Sequence, residues 1–342
     1  MALRDLTLEI TRKCPMNCKL CSSNGGEPCD PEFSLDELKE IVDQAKDLGV
    51  TEISVSGGEP FTCPFLEELC RYTSDLGIDA FIFTSGNWFD NNGLVSSIPL
   101  DKFTELKNSG VKKVVFSLHG SNADIHDRMT RIPSSFDNLL KSTENAQKAD
   151  LEVEVHVVPV RDNFRDIPSI ANLLEIIGVS SLHLLRFVPQ GRGEEHKDEL
   201  ELTGLELSTL RHILQELMKN SPIDITLGAH FSSLQLSSGR CTAGTTKAAI
   251  RPDGYVFPCV GMKNAKLFSD NNVRDKNLNY ILSNSDIFAC SRNMLKNSKS
   301  FVCLAQYLTK SQSRKTWPLN TSPSSKIDSS VTKMCHFCEN EV

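Results

Sequence analysis

The sequence has neither a long basic segment nor a long apolar one. Its formal net charge is −7, and its 37 basic residues are spread along the chain. A phosphate backbone has no matching surface here, so we expect no nucleic-acid partner. No run reaches the roughly 18 apolar residues of a membrane span, and Arg4, Asp5 and Glu9 stand where a signal peptide is apolar. We therefore expect a cytoplasmic protein with no membrane partner.

Cysteine is absent between Cys70 and Cys241, although the chain has twelve cysteines. They fall instead into one group near the start and another in the last third of the chain. A reducing cytoplasm disfavours a disulfide framework. The grouped thiols therefore need another role, and metal binding is the first to consider.

A β-branched or apolar run followed by a helical pattern recurs six times in the first 220 residues. The clearest helix covers residues 34–48, where Ser34 and Glu37 form a capping box and Gly49 ends the helix. Six such units predict parallel strands with helices outside, and reactive residues at the carboxyl ends of the strands. We predict an α/β fold, a partial (β/α)6 TIM-like barrel over residues 1–224. The predicted strands are 6–10, 52–56, 80–84, 113–118, 152–160 and 181–188.

After about residue 221 the pattern changes to short strands, turns and cysteines. Residues 250–258 predict a hairpin turned by Pro252-Asp253-Gly254. Residues 309–331, rich in Ser, Thr, Lys and Pro, predict a loop. We therefore predict a small cysteine-rich domain over residues 225–342.

Cys14, Cys18 and Cys21 lie directly after the first predicted strand, with the spacing C-x3-C-x2-C. A [4Fe–4S] cluster normally takes four cysteine thiolates, so three leave one iron open to another ligand. Such an iron can chelate an amino acid through its amine and carboxylate. On spacing alone, a zinc site is the alternative.

Gly57-Gly58-Glu59-Pro60 directly follows the second predicted strand. With the cysteine triplet after the first strand, this order resembles the radical S-adenosylmethionine (SAM) superfamily. The resemblance implies that a site-open [4Fe–4S] cluster reductively cleaves SAM to a 5′-deoxyadenosyl radical, which abstracts a substrate hydrogen atom. It also implies an electron donor such as flavodoxin or ferredoxin. The glycines allow close approach of the backbone, and their carbonyls with Glu59 can accept hydrogen bonds from the methionyl ammonium.

Further strand ends fit the same resemblance. Thr84 and Ser85 close the third strand and Ser117 closes the fourth, where the resemblance implies contacts with the ribose hydroxyls or carboxylate of SAM. A capping or turn role is the alternative for each. Arg186, after the sixth strand, resembles an arginine that binds the SAM carboxylate, with a surface ion pair as the alternative. Leu20 departs from the superfamily, which often has an aromatic residue there, near adenine.

The last third contains Cys241, Gly254 and Cys259 with the spacing C-x12-G-x4-C, followed by Cys335-His-Phe-Cys338. This pattern resembles the SPASM and shorter twitch extensions of radical SAM enzymes. The resemblance implies one auxiliary [4Fe–4S] cluster, or two. We assign Cys241, Cys259, Cys335 and Cys338 to one cluster, as in the twitch form. A zinc knuckle is the alternative.

The remaining cysteines and two histidines have less definite roles. Cys290 and Cys303 could serve a second cluster, replace a ligand, or donate a hydrogen atom to a substrate radical. Cys70 continues an apolar helix stripe and is predicted to lie in the core. His126 and His156 have no spaced partners, so a structural role is expected for each. The unassigned cysteines are Cys29 and Cys63.

The resemblance implies an oxidoreductase or maturase, and it covers two substrate classes. Cys14 stands so near the start that no N-terminal peptide-recognition domain is expected, which leaves peptide binding to a separate partner or to the barrel mouth. We favour modification of a ribosomally made peptide over dehydrogenation or decarboxylation of a small polar metabolite. A non-catalytic iron–sulfur or zinc scaffold is a further alternative. A scaffold needs neither an open iron nor the 57–60 loop.

Overall fold

The computed structural model describes residues 3–228, 231, 234, 236, 241–263, 271–297, 303 and 305. Cys335, Cys338 and the loop predicted at 309–331 lie outside these residues. Within them, nine strands form one sheet, and all neighbouring pairs but one are parallel. No helix in this part of the chain is long and apolar enough to cross a membrane.

The strands and helices alternate along most of the described chain. The strands are β1 (Asp5–Thr11), β2 (Glu52–Gly57), β3 (Asp79–Thr84), β4 (Asn87–Phe89), β5 (Val95–Ser97), β6 (Lys113–Ser117), β7 (Glu152–Val157), β8 (Ser181–Leu184), β9 (Asp224–Leu227), β10 (Lys247–Ile250) and β11 (Val256–Phe257). The helices are α1 (Leu35–Asp47), α2 (Leu66–Asp75), α3 (Leu100–Asn108), α4 (Ala123–Thr130), α5 (Ser135–Lys148), α6 (Ile167–Ile176), α7 (Arg192–Glu195), α8 (Lys197–Leu200), α9 (Gly204–Asn220), α10 (Leu278–Asn284) and α11 (Asp286–Asn297).

The six predicted strand–helix units are confirmed. Their strands are β1, β2, β3, β6, β7 and β8, which lie side by side in that order in the sheet β11-β10-β1-β2-β3-β6-β7-β8-β9. The predicted first helix forms as α1, where Ser34 and Glu37 make both bonds of the capping box. The α/β fold with a partial barrel is therefore correct. The helix α4 and the separate hairpin β4–β5 are additions that the alternation did not indicate.

Each barrel strand has one face for the helices and one for the barrel interior. In β7, Val153, Val155 and Val157 are buried in the main hydrophobic core, whereas Glu154 and His156 point to the opposite face. Because right-handed crossovers put the helices outside, the second face lines the interior. Polar side chains on alternate strand positions therefore meet inside the barrel.

The sheet continues beyond the residue predicted to end the barrel. The strand β9 pairs parallel with β8, and β10 pairs parallel with β1 at the other edge. The predicted hairpin at 250–258 is confirmed as the antiparallel pair β10–β11, with Gly254 at φ +88° in its turn. The division between residues 224 and 225 stays a prediction. The cysteine-rich segment begins as part of the barrel sheet.

Candidate active site

The loop after β1 carries Cys14, Cys18 and Cys21 and is held against α4. The backbone amide of Asn17 donates to the carbonyl of Thr130 at 3.1 Å, where α4 ends. This unpredicted helix therefore supports the cysteine loop.

The three thiols are spread more widely than the ligands of one zinc ion. In the described part of the chain, Glu154, His156 and His183 have ligand atoms that all lie within 4.8 Å of one another. The sulfurs of Cys14, Cys18 and Cys21 do not form such a group. Tetrahedral zinc, about 2.3 Å from each sulfur, would hold sulfurs about 3.8 Å apart. Thiols that are not this close together do not form a ready zinc site, and a larger multi-iron cluster suits them better.

Burial disfavours free thiolates in this loop. It is the largest cause raising the pKa of Cys18 to about 12, and it raises the pKa of Cys14 well above its usual value. The neighbouring cysteine thiolates raise both values further. A cationic centre between the sulfurs would offset both effects, which is consistent with a metal cluster.

The 57–60 loop lies directly against the backbone that precedes Cys14. A Cβ atom on Gly58 would stand 2.3 Å from the carbonyl oxygen of Lys13 and 2.4 Å from that of Arg12. The amide of Glu59 donates to the carbonyl of Lys13 at 2.8 Å. Glycine is therefore required at position 58, because any side chain would separate the two loops.

Glu59 is fully buried, and its carboxylate accepts several hydrogen bonds from the loop after β3. The Thr84 hydroxyl donates at 2.7 Å, and Ser85 donates through its amide at 2.9 Å and its hydroxyl at 2.7 Å. Burial is the largest cause raising the pKa of Glu59 to about 7, and these hydrogen bonds oppose it. The hydroxyls expected to contact SAM thus bind Glu59 in this structure.

Ser117 and Arg186 lie further around the barrel. Ser117 ends β6 and is half-buried, in register with His156 on β7. Arg186 follows β8, and burial lowers the pKa of its guanidinium. The structure thus brings the 57–60 loop, Thr84 and Ser85 together, with Ser117 and Arg186 on other strands.

Arg192 is a loop anchor that belongs to no sequence motif. Its guanidinium donates to the carbonyl of Cys18 at 3.0 Å and to that of Gly25 at 2.7 Å. Gly191 has φ +55°, and a Cβ atom there would stand 2.7 Å from the carbonyl of Cys21. The only signal in the sequence is a basic residue shortly after the sixth strand. The segment 191–192 holds the cysteine loop from the β8 side.

Cys241, Cys259 and Cys303 lie near one another. Burial raises the pKa of Cys259 to about 12, and the thiolates of Cys241 and Cys303 add to this. A Cβ atom on Gly261 would lie 3.6 Å from the Cys259 sulfur and 2.9 Å from the Cβ of Ala305. Ala305 therefore lies close to the loop that carries Cys259. The other two predicted ligands, Cys335 and Cys338, are outside the described residues.

The remaining cysteines in the described part of the chain are Cys29, Cys63, Cys70 and Cys290. Cys70 is fully buried in α2, which confirms its core role. Cys290, on α11, donates to the sulfur of Met294 at 3.8 Å. Cys63 is buried, and burial raises its pKa to about 12. Cys29 is half-buried, in the loop before α1.

A buried ion pair ties the two cysteine regions together. Lys263, four residues after Cys259, forms a salt bridge with Glu9 on β1, and each side chain is 3% exposed. The Lys263 ammonium also donates to the hydroxyl of Ser23 at 2.6 Å, two residues after Cys21. Ser23 in turn donates to Glu9 at 2.8 Å. This contact fixes the loop after Cys259 against the first cysteine loop.

His156 has partners on its own strand and on β8 that helical and loop spacing do not reveal, and the structural role expected for it stays a prediction. Its Nε2 lies 2.6 Å from Glu154 Oε1, and its ring centroid lies 4.7 Å from that of His183. Burial lowers the pKa of His183 to about 4. Although burial opposes it, hydrogen bonds from His156 and Lys113 lower the pKa of Glu154 to about 2.

His126 is buried beside His119, as expected for a structural residue. Its Nδ1 accepts a hydrogen bond from the His119 amide at 3.2 Å, and the two rings stack at 5.4 Å. Burial lowers the pKa of His119 to about 3 and that of His126 to about 4. Both imidazoles are therefore neutral near pH 7.

Parts of the sequence match two protein-family models. Residues 8–174 match the model of the radical SAM superfamily, and residues 241–305 match that of SPASM, an iron–sulfur cluster-binding domain. The chain is 26% identical over 310 residues to the AdoMet-dependent heme synthase of Methanosarcina barkeri, covering 84% of each protein. It is 26% identical over 291 residues to the mycofactocin maturase MftC of Mycolicibacterium smegmatis, covering 83% of this chain and 71% of the relative.

A solved structure shares the fold. It is that of SuiB from Streptococcus suis bound to the precursor peptide SuiA. The superposition covers 85% of this chain and 67% of the SuiB chain, with a TM-score of 0.68 and 15% sequence identity.

Proposed function

Because the chain belongs to the radical SAM superfamily and carries a SPASM iron–sulfur domain, we propose that it is a maturase that modifies a ribosomally made peptide. A radical SAM domain uses a [4Fe–4S] cluster and SAM, and a SPASM domain holds auxiliary iron–sulfur clusters. When bound, the first cluster supplies the electron that cleaves SAM and starts hydrogen-atom abstraction. The residues of this chain bind and orient SAM and the substrate, and exclude water.

We assign the first cluster to Cys14, Cys18 and Cys21. The observation that carries this assignment is the wide spacing of the three thiols in one loop, with the 57–60 loop packed directly against it. Arg192 and α4 hold the loop from either side. These contacts would orient the three thiols as cluster ligands.

The 57–60 loop is the proposed site for the methionyl ammonium of SAM. Its carbonyl groups, at Gly57 and Gly58, can accept hydrogen bonds from an ammonium. Glu59 is already saturated by Thr84 and Ser85, so these three side chains position the loop. Thr84 and Ser85 therefore act through Glu59 in this proposal.

Ser117 and Arg186 are the proposed contacts for the remaining polar groups of SAM. A half-buried guanidinium suits a carboxylate, and a hydroxyl that both donates and accepts suits a ribose. Both residues follow or end barrel strands at the carboxyl edge, where such sites form. This placement supports the proposal.

The auxiliary cluster is assigned to Cys241 and Cys259, with Cys335 and Cys338 as predicted further ligands. Cys303 packs near the first pair and is the candidate to replace one of the distant ligands. The salt bridge of Lys263 with Glu9 holds this group beside the first cysteine loop. A cluster held there would supply an acceptor for an electron from a substrate radical.

Peptide modification is supported by two similar proteins. One is a maturase, MftC, and the other, SuiB, was solved with a precursor peptide. The greater coverage of the heme synthase favours action on a small molecule as the second candidate. In either case an external electron donor, such as flavodoxin or ferredoxin, would be the partner.

The test is SAM cleavage by the anaerobically reconstituted protein. With dithionite and SAM, we expect 5′-deoxyadenosine and about eight irons per chain, four for each of two clusters. Cys18→Ala should abolish 5′-deoxyadenosine, whereas Cys29→Ala, later in the same loop, should retain it. Zinc in place of iron, with no SAM cleavage, would leave the scaffold interpretation.

Substrate class is tested in the same assay. Short peptides encoded beside the gene should stimulate 5′-deoxyadenosine formation and change in mass. Stimulation by an iron porphyrin precursor, with none by any of these peptides, would favour the second candidate.

A further inference from the structure

We propose that Glu154, His156 and His183 form a divalent metal site inside the barrel, separate from both cysteine groups. One ligand atom of each residue lies within 4.8 Å of the others. His156 on β7 pairs in register with His183 on β8, and Glu154 precedes His156 by two residues on the same strand face. Two imidazoles and one carboxylate on one face are a common ligand set for divalent transition metals with open positions.

The hydrogen bonds behind these side chains already orient them as ligands. His183 Nδ1 lies 2.6 Å from the hydroxyl of Thr226 on β9, which leaves Nε2 available. Lys113 donates to Glu154 Oε2 at 2.9 Å, so the other oxygen, Oε1, faces the imidazoles. Bound metals typically have such outer partners on the far atom of each ligand.

The local charge is compatible with a cation. Lys113 pairs with Glu152 at 2.8 Å as well as with Glu154, so its single positive charge meets two carboxylates. The hydrogen bond between His156 Nε2 and Glu154 Oε1, 2.6 Å long, would give way to the metal ion. The two carboxylates outnumber this one ammonium, and Lys247, another cation that acts on His183, is itself paired with Asp5 at 3.2 Å.

The site opens to the barrel interior. The side chains of His156 and Glu154 are 14% and 17% exposed, on the strand face opposite the helices. Ser117, a proposed SAM contact, is in register with His156 on the neighbouring strand. A metal held by three protein ligands keeps positions for an oxygen donor such as a substrate carboxylate or carbonyl. The metal site does not depend on whether the substrate is a peptide or a small molecule.

The test is Mn²⁺ titration of the reconstituted holoenzyme, with free Mn²⁺ counted by room-temperature EPR. Mn²⁺ is chosen because it prefers oxygen and nitrogen ligands to thiolates. We expect saturable binding of one Mn²⁺ per chain, weakened at least tenfold in Glu154→Gln and in His183→Gln. His212→Gln, on the outer helix α9, is the matched control and should bind Mn²⁺ like the wild type. Thr226→Val should weaken binding about 10–100-fold through loss of an outer partner.

Pulsed EPR provides an independent measurement on the wild-type protein. Imidazole nitrogen coupling to the bound Mn²⁺ is the expected result. Absence of saturable binding, or equal binding by the wild type and the ligand variants, would overturn the proposal. So would bound Mn²⁺ without nitrogen coupling. Since none of these measurements involves SAM, failure here is distinct from failure of the proposed function.

Discussion

Replacing Lys263 by Met tests whether the buried pair with Glu9 holds the two cysteine regions together. The Lys263→Met change keeps much of the side-chain length but removes the cation. Glu9, on a fully paired strand and 3% exposed in its side chain, would keep the Ser23 hydroxyl as a donor but lose its counter-ion. Breaking one partner of a buried ion pair typically costs about 3–5 kcal/mol, because the remaining charge is uncompensated.

The expected shift in melting temperature follows from chain length. With an unfolding entropy of about 2.1 cal/mol/K per residue, 342 residues give about 0.7 kcal/mol/K. A loss of about 3–5 kcal/mol then lowers the melting temperature by about 4–7 °C. Circular dichroism of the reconstituted protein measures it. We also expect less iron per chain, because the loop after Cys259 loses its anchor.

Two further variants decide the cause of the shift. Lys39→Met removes an ion pair whose partner Glu68 is 57% exposed, so the melting temperature should change by less than about 1 °C. The double variant Glu9→Gln with Lys263→Met should recover most of the loss, because it no longer buries an unpaired charge. A Lys263→Met protein that melts like the wild type, or a double variant no better than the single, would refute this reasoning.

Three other changes test the candidate site. Gly58→Ala forces a Cβ atom to 2.3 Å from a backbone oxygen, so we expect about 1–3 kcal/mol of destabilisation and less iron after reconstitution; normal iron content would contradict the close packing. Burial raises the Glu59 pKa to about 7, so between pH of about 4.5 and 7 the folded state keeps a proton that the unfolded state releases. Stability should fall by about 3 kcal/mol as pH rises through this window, and urea unfolding of Glu59→Gln should lack that part of the slope. Arg192→Met loses two bonds to the cysteine loop and should release iron to a chelator faster, whereas an unchanged rate would show that α4 alone holds the loop.

Local sequence patterns predict the six strand–helix units of the barrel. Each of the six barrel strands is a short apolar run followed by an amphipathic helix, and the crossover rule then fixes their order. The same rule cannot place β10. Its four residues are apolar enough for a strand, but its partner β1 lies at the other end of the chain, and nothing in either segment specifies the pairing. The barrel sheet therefore extends into a segment predicted to be separate.

The candidate site divides in the same way. The cysteine triplet and the 57–60 loop are contiguous motifs, so their spacing and their order along the chain can be recognised in the sequence. Arg192 and Lys263 act on those loops from distant positions, and single basic residues have no pattern that distinguishes them from surface charges. The place of Thr84 and Ser85 after β3 identifies them, but their partner, Glu59, can be recognised only in three dimensions.

For the histidines, alternation along neighbouring parallel strands is more informative than helical or loop spacing. His156 has no partner at either of those spacings. In a parallel sheet, however, partners stand at matching positions of the next strand, and the sequence predicts both relevant strands, at 152–160 and 181–188. Alternation places Glu154 and His156 on one face, and His183 is the polar residue at the same level of the next strand. Same-face residues on consecutive predicted strands therefore give candidates for such a cluster, but the register that pairs His156 with His183 is fixed only in three dimensions.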